Sequence, residues 1–143
     1  MSDIYARLDL SKTNYHMYNS AVLFKDPPVS QLQEIYDQYC KYKQFKSVMP
    51  IFDEELCEPT SDVIGYYHNN ELVAFSYYRW YNSENVESIQ FAWNYASPKL
   101  FLGLKSLRHE CAYYKSQGVK YIYLGYADDY KKQFDGFEIL PPR

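Results

Sequence analysis

Hydrophobic and polar positions change period along the chain, and each change marks an element. From Asp62 the period is two: DVIGYYH, then Asn69-Asn70, then ELVAFSYYRWY. Alternation of this kind is the mark of half-buried strands, and asparagine tolerates the left-handed backbone of a tight turn, so the segment predicts a β-hairpin. A second turn at Asn82–Asn85 leads into VESIQFAWNY, where Ile89, Phe91, Trp93 and Tyr95 fall on one face. Together these three strands predict an antiparallel meander.

Helical spacing flanks the meander. After the break at Asp26-Pro27-Pro28, apolar positions Leu32, Ile35, Tyr36, Tyr39 and Tyr42 or Lys43 recur every three or four residues. Ser30 with Gln33 matches a capping box, so a helix is expected over 30–45. Met49-Pro50 ends that region, and DEEL at 53–56 suggests one helical turn. Beyond the meander, Pro98 opens a helix of about 18 residues, with a buried stripe of Leu100, Leu104, Leu107, Cys111 and Tyr114. Lys105, Arg108, His109 and Lys115 are expected to face outward. Gly118 is its expected stop. Too few residues then remain before Val119–Tyr126 for anything but a helix crossover, so this strand should lie parallel to a meander strand. Residues 3–10 and the AVLF patch within 12–25 predict further strands, and YKKQF belongs to a closing strand-and-turn string.

A strand–loop–helix–strand unit over residues 84–134 sets a helix N-terminus beside a gap between two strands. Free N–H groups and a partial positive charge gather there, which suits an anionic or acyl-bearing ligand.

Composition narrows this picture modestly. The 143 residues suggest one domain spanning 1–143 with a substantial core. Eighteen tyrosines help bring the aromatic share to 20%, and such side chains suit half-buried strands and wet clefts. Residues 1–98 hold 7 Lys/Arg against 13 Asp/Glu, and residues 99–143 hold 8 against 5. The basic excess at the C-terminal end permits a phosphate-bearing partner without demanding nucleic acid. Cys40, Cys57 and Cys111 are few and scattered, which argues for a reducing compartment rather than a disulfide framework. With neither a leader pattern nor a membrane-length apolar run, the expectation is a soluble cytoplasmic protein with no membrane partner.

Walker, Rossmann, nucleophile-elbow and zinc-ligand patterns do not occur. His16, His68 and His109 lie on separate predicted elements, so no metal site is expected. Cys111, on a core stripe, is expected to be an inert thiol.

The order strand, helix, antiparallel meander, helix, strand resembles the GNAT acyltransferase fold. That resemblance implies an α/β (α+β) single domain: a mixed central sheet with one parallel, splayed strand pair and helices on both faces. It implies Val86–Tyr95 as the donor-side strand, Ser97–Gly103 as the donor loop and Val119–Tyr126 as the partner strand. More locally, the run from Ser97 to Tyr126 followed by YKKQF resembles the C-terminal region of arginyl-tRNA–protein transferases. Leu102, Gly103, Tyr123 to Tyr126, Tyr130, Lys131, Gln133 and Phe134 carry that resemblance over roughly 45 residues. The chain departs from acetyl-CoA users where their glycine-rich signature would stand: Pro98, Leu100, Phe101 and Leu102 precede the small Gly103.

What the resemblance implies is an N-acyltransferase moving an acyl or aminoacyl group from acyl-CoA (acetyl-CoA included) or aminoacyl-tRNA to an amine. The acceptor would be an amine-bearing small molecule or a protein N-terminus. Backbone N–H groups near Trp93, Asn94 and Tyr95 would hold the donor, with Ser97, Lys99, Leu102, Gly103 and Lys105 beside it; Arg108 is a further cation for donor phosphates. Glu87 is the candidate base, and Tyr126 or Tyr130 the candidate acid. The alternatives are a non-catalytic binding module that keeps the cleft, and a tRNA- or protein-interaction domain using the tyrosine-rich face.

Overall fold

Asn69 and Asn70 both take positive φ, +51° and +65°, the backbone that a two-residue hairpin turn with the right-handed strand twist requires. They join β3 (Ser61–His68) to β4 (Glu71–Asn82), and a turn at Ser83-Glu84 joins β4 to β5 (Asn85–Trp93). Asn82 shapes that second turn by accepting, at its Oδ1, the Glu84 N–H and the Asn85 side-chain amide, each at 2.9 Å. The expected meander is present, each strand antiparallel to the next.

The computed structural model describes residues 5–43, 59–94, 102–126 and 129–140. Around the meander lie β1 (Tyr5–Asp9), β2 (Ala21–Leu23), α1 (Val29–Lys43), α2 (Leu102–Ser116), β6 (Tyr121–Tyr126) and β7 (Phe137–Ile139). Short 3-10 turns occupy Leu10–Lys12 and Asp129–Gln133, the second being the turn of the expected strand-and-turn string. The described strands form one seven-stranded sheet in the order β2-β3-β4-β5-β6-β1-β7. Only β5 and β6 pair in parallel, as the crossover predicted.

Helices pack on both faces. On one, Leu32, Ile35, Tyr36 and Cys40 of α1 meet Val63, Phe75 and Ala92. On the other, Leu107, Cys111 and Tyr114 of α2 meet Ile64, Tyr78, Val86 and Ile122. Gly118, at φ +86°, ends α2 as expected.

Several details differ from the pattern. Gln33 does not turn back to Ser30; its amide reaches forward to Asp37 at 2.8 Å, the i, i+4 neighbour on the helix surface. Tyr42 leaves the buried stripe and is 62% exposed. β7 was not anticipated, because three residues carry no readable alternation and its pairing with β1 is a long-range contact. Pro98, Leu100 and the 53–56 turn lie outside the described residues.

Candidate active site

Parallel pairing between β5 and β6 covers three steps, Asn85↔Tyr121, Val86↔Ile122 and Glu87↔Tyr123, and then stops. Both strands continue, β5 to Trp93 and β6 to Tyr126. The cause lies in two β-bulges. Tyr78 pairs with Ser88 and Tyr77 with Gln90, which leaves Ile89 as an extra residue on β5. Arg7 pairs with Tyr123 and Ala6 with Gly125, which leaves Leu124 as an extra residue on β6. A bulge bends its strand and increases its twist. Here each strand bulges just past the last shared pair, and each then follows its other neighbour, β4 or β1. The result is a fork with its vertex at Glu87 and Tyr123.

The bulge also corrects one expectation. Ile89 is 39% exposed and does not join Phe91 and Trp93, which pack against the α2-side core.

Main-chain groups of β5 turn alternately toward β4 and toward the fork. The Asn94 N–H donates to the Val73 carbonyl of β4 at 3.0 Å. Successive main-chain groups of a strand point to opposite edges, so the N–H groups of Trp93 and Phe91 face the fork. The Phe91 carbonyl, on the same edge, accepts the Gln90 side-chain amide at 2.9 Å. Along this stretch β5 pairs with β4 and not with β6.

The segment between α2 and β6 is bound at the other end, where the Lys120 N–H donates to the Glu84 carbonyl at 2.7 Å. A helix crossing between parallel strands runs back against them, so the N-terminus of α2 lies at the fork's open end. Gly103 and Lys105 stand in its first turn, half-buried and exposed respectively, and Arg108 is exposed one turn on. Leu102 is the first residue of α2. Trp93 and Asn94 are half-buried at the β5 tip. Tyr95, Ser97 and Lys99 lie outside the described residues. Tyr126 is the last residue of β6, paired with Tyr5, and Tyr130 belongs to the 3-10 turn that follows.

Glu87 stands at the vertex, half-buried, with its carboxylate accepting the Tyr81 hydroxyl. Burial and that bond push the Tyr81 phenol up to about 12, so it stays protonated and donating.

Sequence reasoning missed a second carboxylate. Glu110 of α2 is 3% exposed and accepts hydroxyl hydrogens from Tyr66, Tyr78 and Ser76, the last at 2.5 Å. Burial raises its carboxyl to about 7, against the opposing pull of the three hydroxyls. Ser76 and Tyr78 pair with Phe91 and Ser88, so this cluster sits one strand inside the place where the fork opens. A signal was available: Glu110 lies three residues after Leu107 and four before Tyr114, on the apolar stripe. His109 was expected outside the helix. It is 7% exposed, its Nδ1 accepts the Tyr18 N–H at 3.0 Å, and burial lowers its pKa.

Among the described residues no group of three or more potential metal ligands gathers, and no described helix is long and apolar enough to cross a membrane. The two-faced sheet with one splayed parallel pair is the GNAT-like fold. Solved structures bear this out. L-PGS from Bacillus licheniformis superposes with a TM-score of 0.63 at 16% identity, over 87% of this chain and 46% of that one. A GCN5-related N-acetyltransferase from Kribbella flavida gives 0.60 at 13%, over 95% and 53%. The C-terminal domain of a candidate lysylphosphatidylglycerol synthetase from Agrobacterium fabrum gives 0.62 at 12%, over 87% and 46%. The chain spans about half the length of these proteins. No protein-family model and no curated protein matches it.

Proposed function

We propose that this chain is a GNAT-like acyltransferase that moves an acyl or aminoacyl group from acyl-CoA or an aminoacyl-tRNA to an amine. The observation that carries the reading is the fork: parallel pairing ends at Glu87↔Tyr123 although both strands run on. The names of the structural neighbours, an N-acetyltransferase and lysylphosphatidylglycerol synthetases, support a transferred acyl or aminoacyl group.

The donor supplies an activated carbonyl, a thioester or an ester. The Phe91 N–H, on the fork side of β5, meets its acyl arm and polarises the carbonyl. Lys105 and the α2 N-terminus face its phosphates, and Ser97 and Lys99, a few positions earlier in the sequence, are further candidates for that contact. Glu87 takes the proton from the amine as the new C–N bond forms. The C–S or C–O bond to the donor breaks, and Tyr126 or Tyr130 returns a proton to the leaving group. The Tyr81 hydroxyl fixes the Glu87 carboxylate in place.

Thermal-shift measurements with acetyl-CoA and with charged tRNA test the reading. One of them should raise Tm in a concentration-dependent way. Glu87→Gln should then cut transfer about 100-fold or more while sparing that rise. Stabilisation without any transfer would leave a non-catalytic binding module, and no stabilisation by either donor would remove the acyltransferase reading.

A further inference from the structure

One side chain of α2 reaches strand β4 on both sides of the β5 bulge. Ile89 is the extra residue, and the register partners flanking it on the α2 face are Ser76↔Phe91 and Tyr78↔Ser88. Ser76 Oγ donates to Glu110 Oε2 at 2.5 Å, and the Tyr78 hydroxyl donates to Glu110 Oε1. The carboxylate thus ties α2 to β4 at two points, one behind each limb of the bulge. Ser76 stands directly behind Phe91, whose N–H faces the fork.

The cluster has two arrangements, according to whether Glu110 carries a proton. An ionised carboxylate only accepts, and here it takes the hydrogens of all three hydroxyls. A proton adds a fourth hydrogen among the same oxygens, so one hydroxyl has to turn away. Tyr66 has somewhere to turn, because its hydroxyl also lies 3.1 Å from the Ser106 carbonyl. Ser76 and Tyr78 are then left on a neutral acceptor, and such bonds are about half as strong as those to a charged one.

The titratable groups around Glu110 do not duplicate this change. Burial pushes up the phenols of Tyr66 on β3, Tyr78 on β4 and Tyr114 on α2, together with the Cys111 thiol, so all four stay protonated. His109, beside it on α2, titrates lower because it is buried. Lys131 of the 3-10 turn brings a positive charge that favours the ionised form, and its Nζ lies 3.5 Å from the Leu124 carbonyl at the β6 bulge.

We propose that Glu110 is a positioning residue for the fork: its ionised carboxylate braces Ser76 and Tyr78 behind the β5 bulge and so sets the Phe91 N–H for the donor carbonyl, and proton uptake relaxes the brace. The proposal rests on the acyltransferase reading for the donor, whereas the coupling between Glu110 and the bulge needs none.

NMR titration of the native protein tests the coupling. The backbone amides of Ser88 to Phe91 should follow the Glu110 carboxyl carbon with one shared midpoint, at about pH 7. Glu110→Gln should abolish that step. Ser76→Ala leaves the carboxyl to titrate but removes one hydroxyl of the brace, and should reduce the response at Phe91 at least about twofold. Whichever of acetyl-CoA and charged tRNA raises Tm should bind at least about fivefold tighter above the midpoint than below it. By linkage it should lower the midpoint by about 0.7 pH unit, and Glu110→Gln should bind it equally at both pH values. Amides that ignore the titration of Glu110 would overturn the proposal, as would a donor bound equally well on both sides of the midpoint or better below it. The shared midpoint in a protein that neither donor stabilises would leave the brace standing and sink the acyltransferase reading alone.

Discussion

Glu110 is a carboxyl group held in the core by three hydroxyls, and its proton has a measurable consequence. An ordinary glutamate ionises near 4.5, and burial raises this one to about 7. Below pH 4.5 both folded and unfolded chains hold the proton. As pH rises the unfolded chain ionises first, so stability falls through the window from 4.5 to 7, by on the order of 3 kcal/mol in all. His109, its pKa lowered by burial, acts with the opposite sign, gaining stability as pH climbs toward 6.5. A Glu110→Gln comparison separates the two. Unfolding free energies measured at pH 4.5 and pH 8 should show the variant gaining on the native protein by about that amount. A gap that stays constant with pH would mean Glu110 does not titrate in this window. The position of Glu110 was visible in the helical spacing, but its partners were not. Tyr66, Ser76 and Tyr78 lie more than 30 positions earlier, and only the packing of α2 on the sheet brings them together.

At the level of elements, the local signals were the ones the sequence showed well. Alternation and Asn69-Asn70 specify the meander without help from the rest of the chain, and the Leu107–Cys111–Tyr114 stripe specifies which side of α2 is buried. A bulge is different. Ile89 looks like one more member of an alternating strand, and only the pairing of β4 against β5 shows that it is the extra residue. Deleting Ile89 should restore regular alternation and keep Phe91 and Trp93 on their present face. In the native protein the amide of Phe91 should exchange with solvent at least about tenfold faster than that of Ala92. Without Ile89, β5 is free to run straighter beside β6, and the Phe91 amide should slow toward its neighbour. Ile89→Ala keeps the bulge and serves as the control. Fast exchange persisting after the deletion would show that the β5 bulge is not what holds the fork open, leaving the Leu124 bulge of β6 to do so.

Across the whole molecule, the sheet's far half is assembled from distant parts of the chain. β1 lies between β6 and β7, antiparallel to both. The resemblance to a known fold suggested the splay, whereas composition and periodicity alone did not, because nothing local says which strands are neighbours. Gly136 pins this half together. Its φ is +80°, its carbonyl accepts the Asp9 N–H at 2.9 Å, and an added Cβ would come within 2.3 Å of the Asp9 carbonyl oxygen. Gly136→Ala should therefore destabilise the protein by about 1–3 kcal/mol, read as a lowered midpoint in denaturant. An unchanged midpoint would mean that β7 contributes nothing to the cooperative unit.

The same arrangement sets an order of events during synthesis. β1 leaves the ribosome before the other described strands, yet its hydrogen-bonding partners β6 and β7 follow more than a hundred residues later. Strands β2 to β5 can zip as they emerge, while β1 stays unsatisfied until Tyr121 and beyond are released. Nascent chains stalled before that point should leave the amides of Ala6 to Asp9 open to exchange, and the fork acquires its second limb only once β6 has been released.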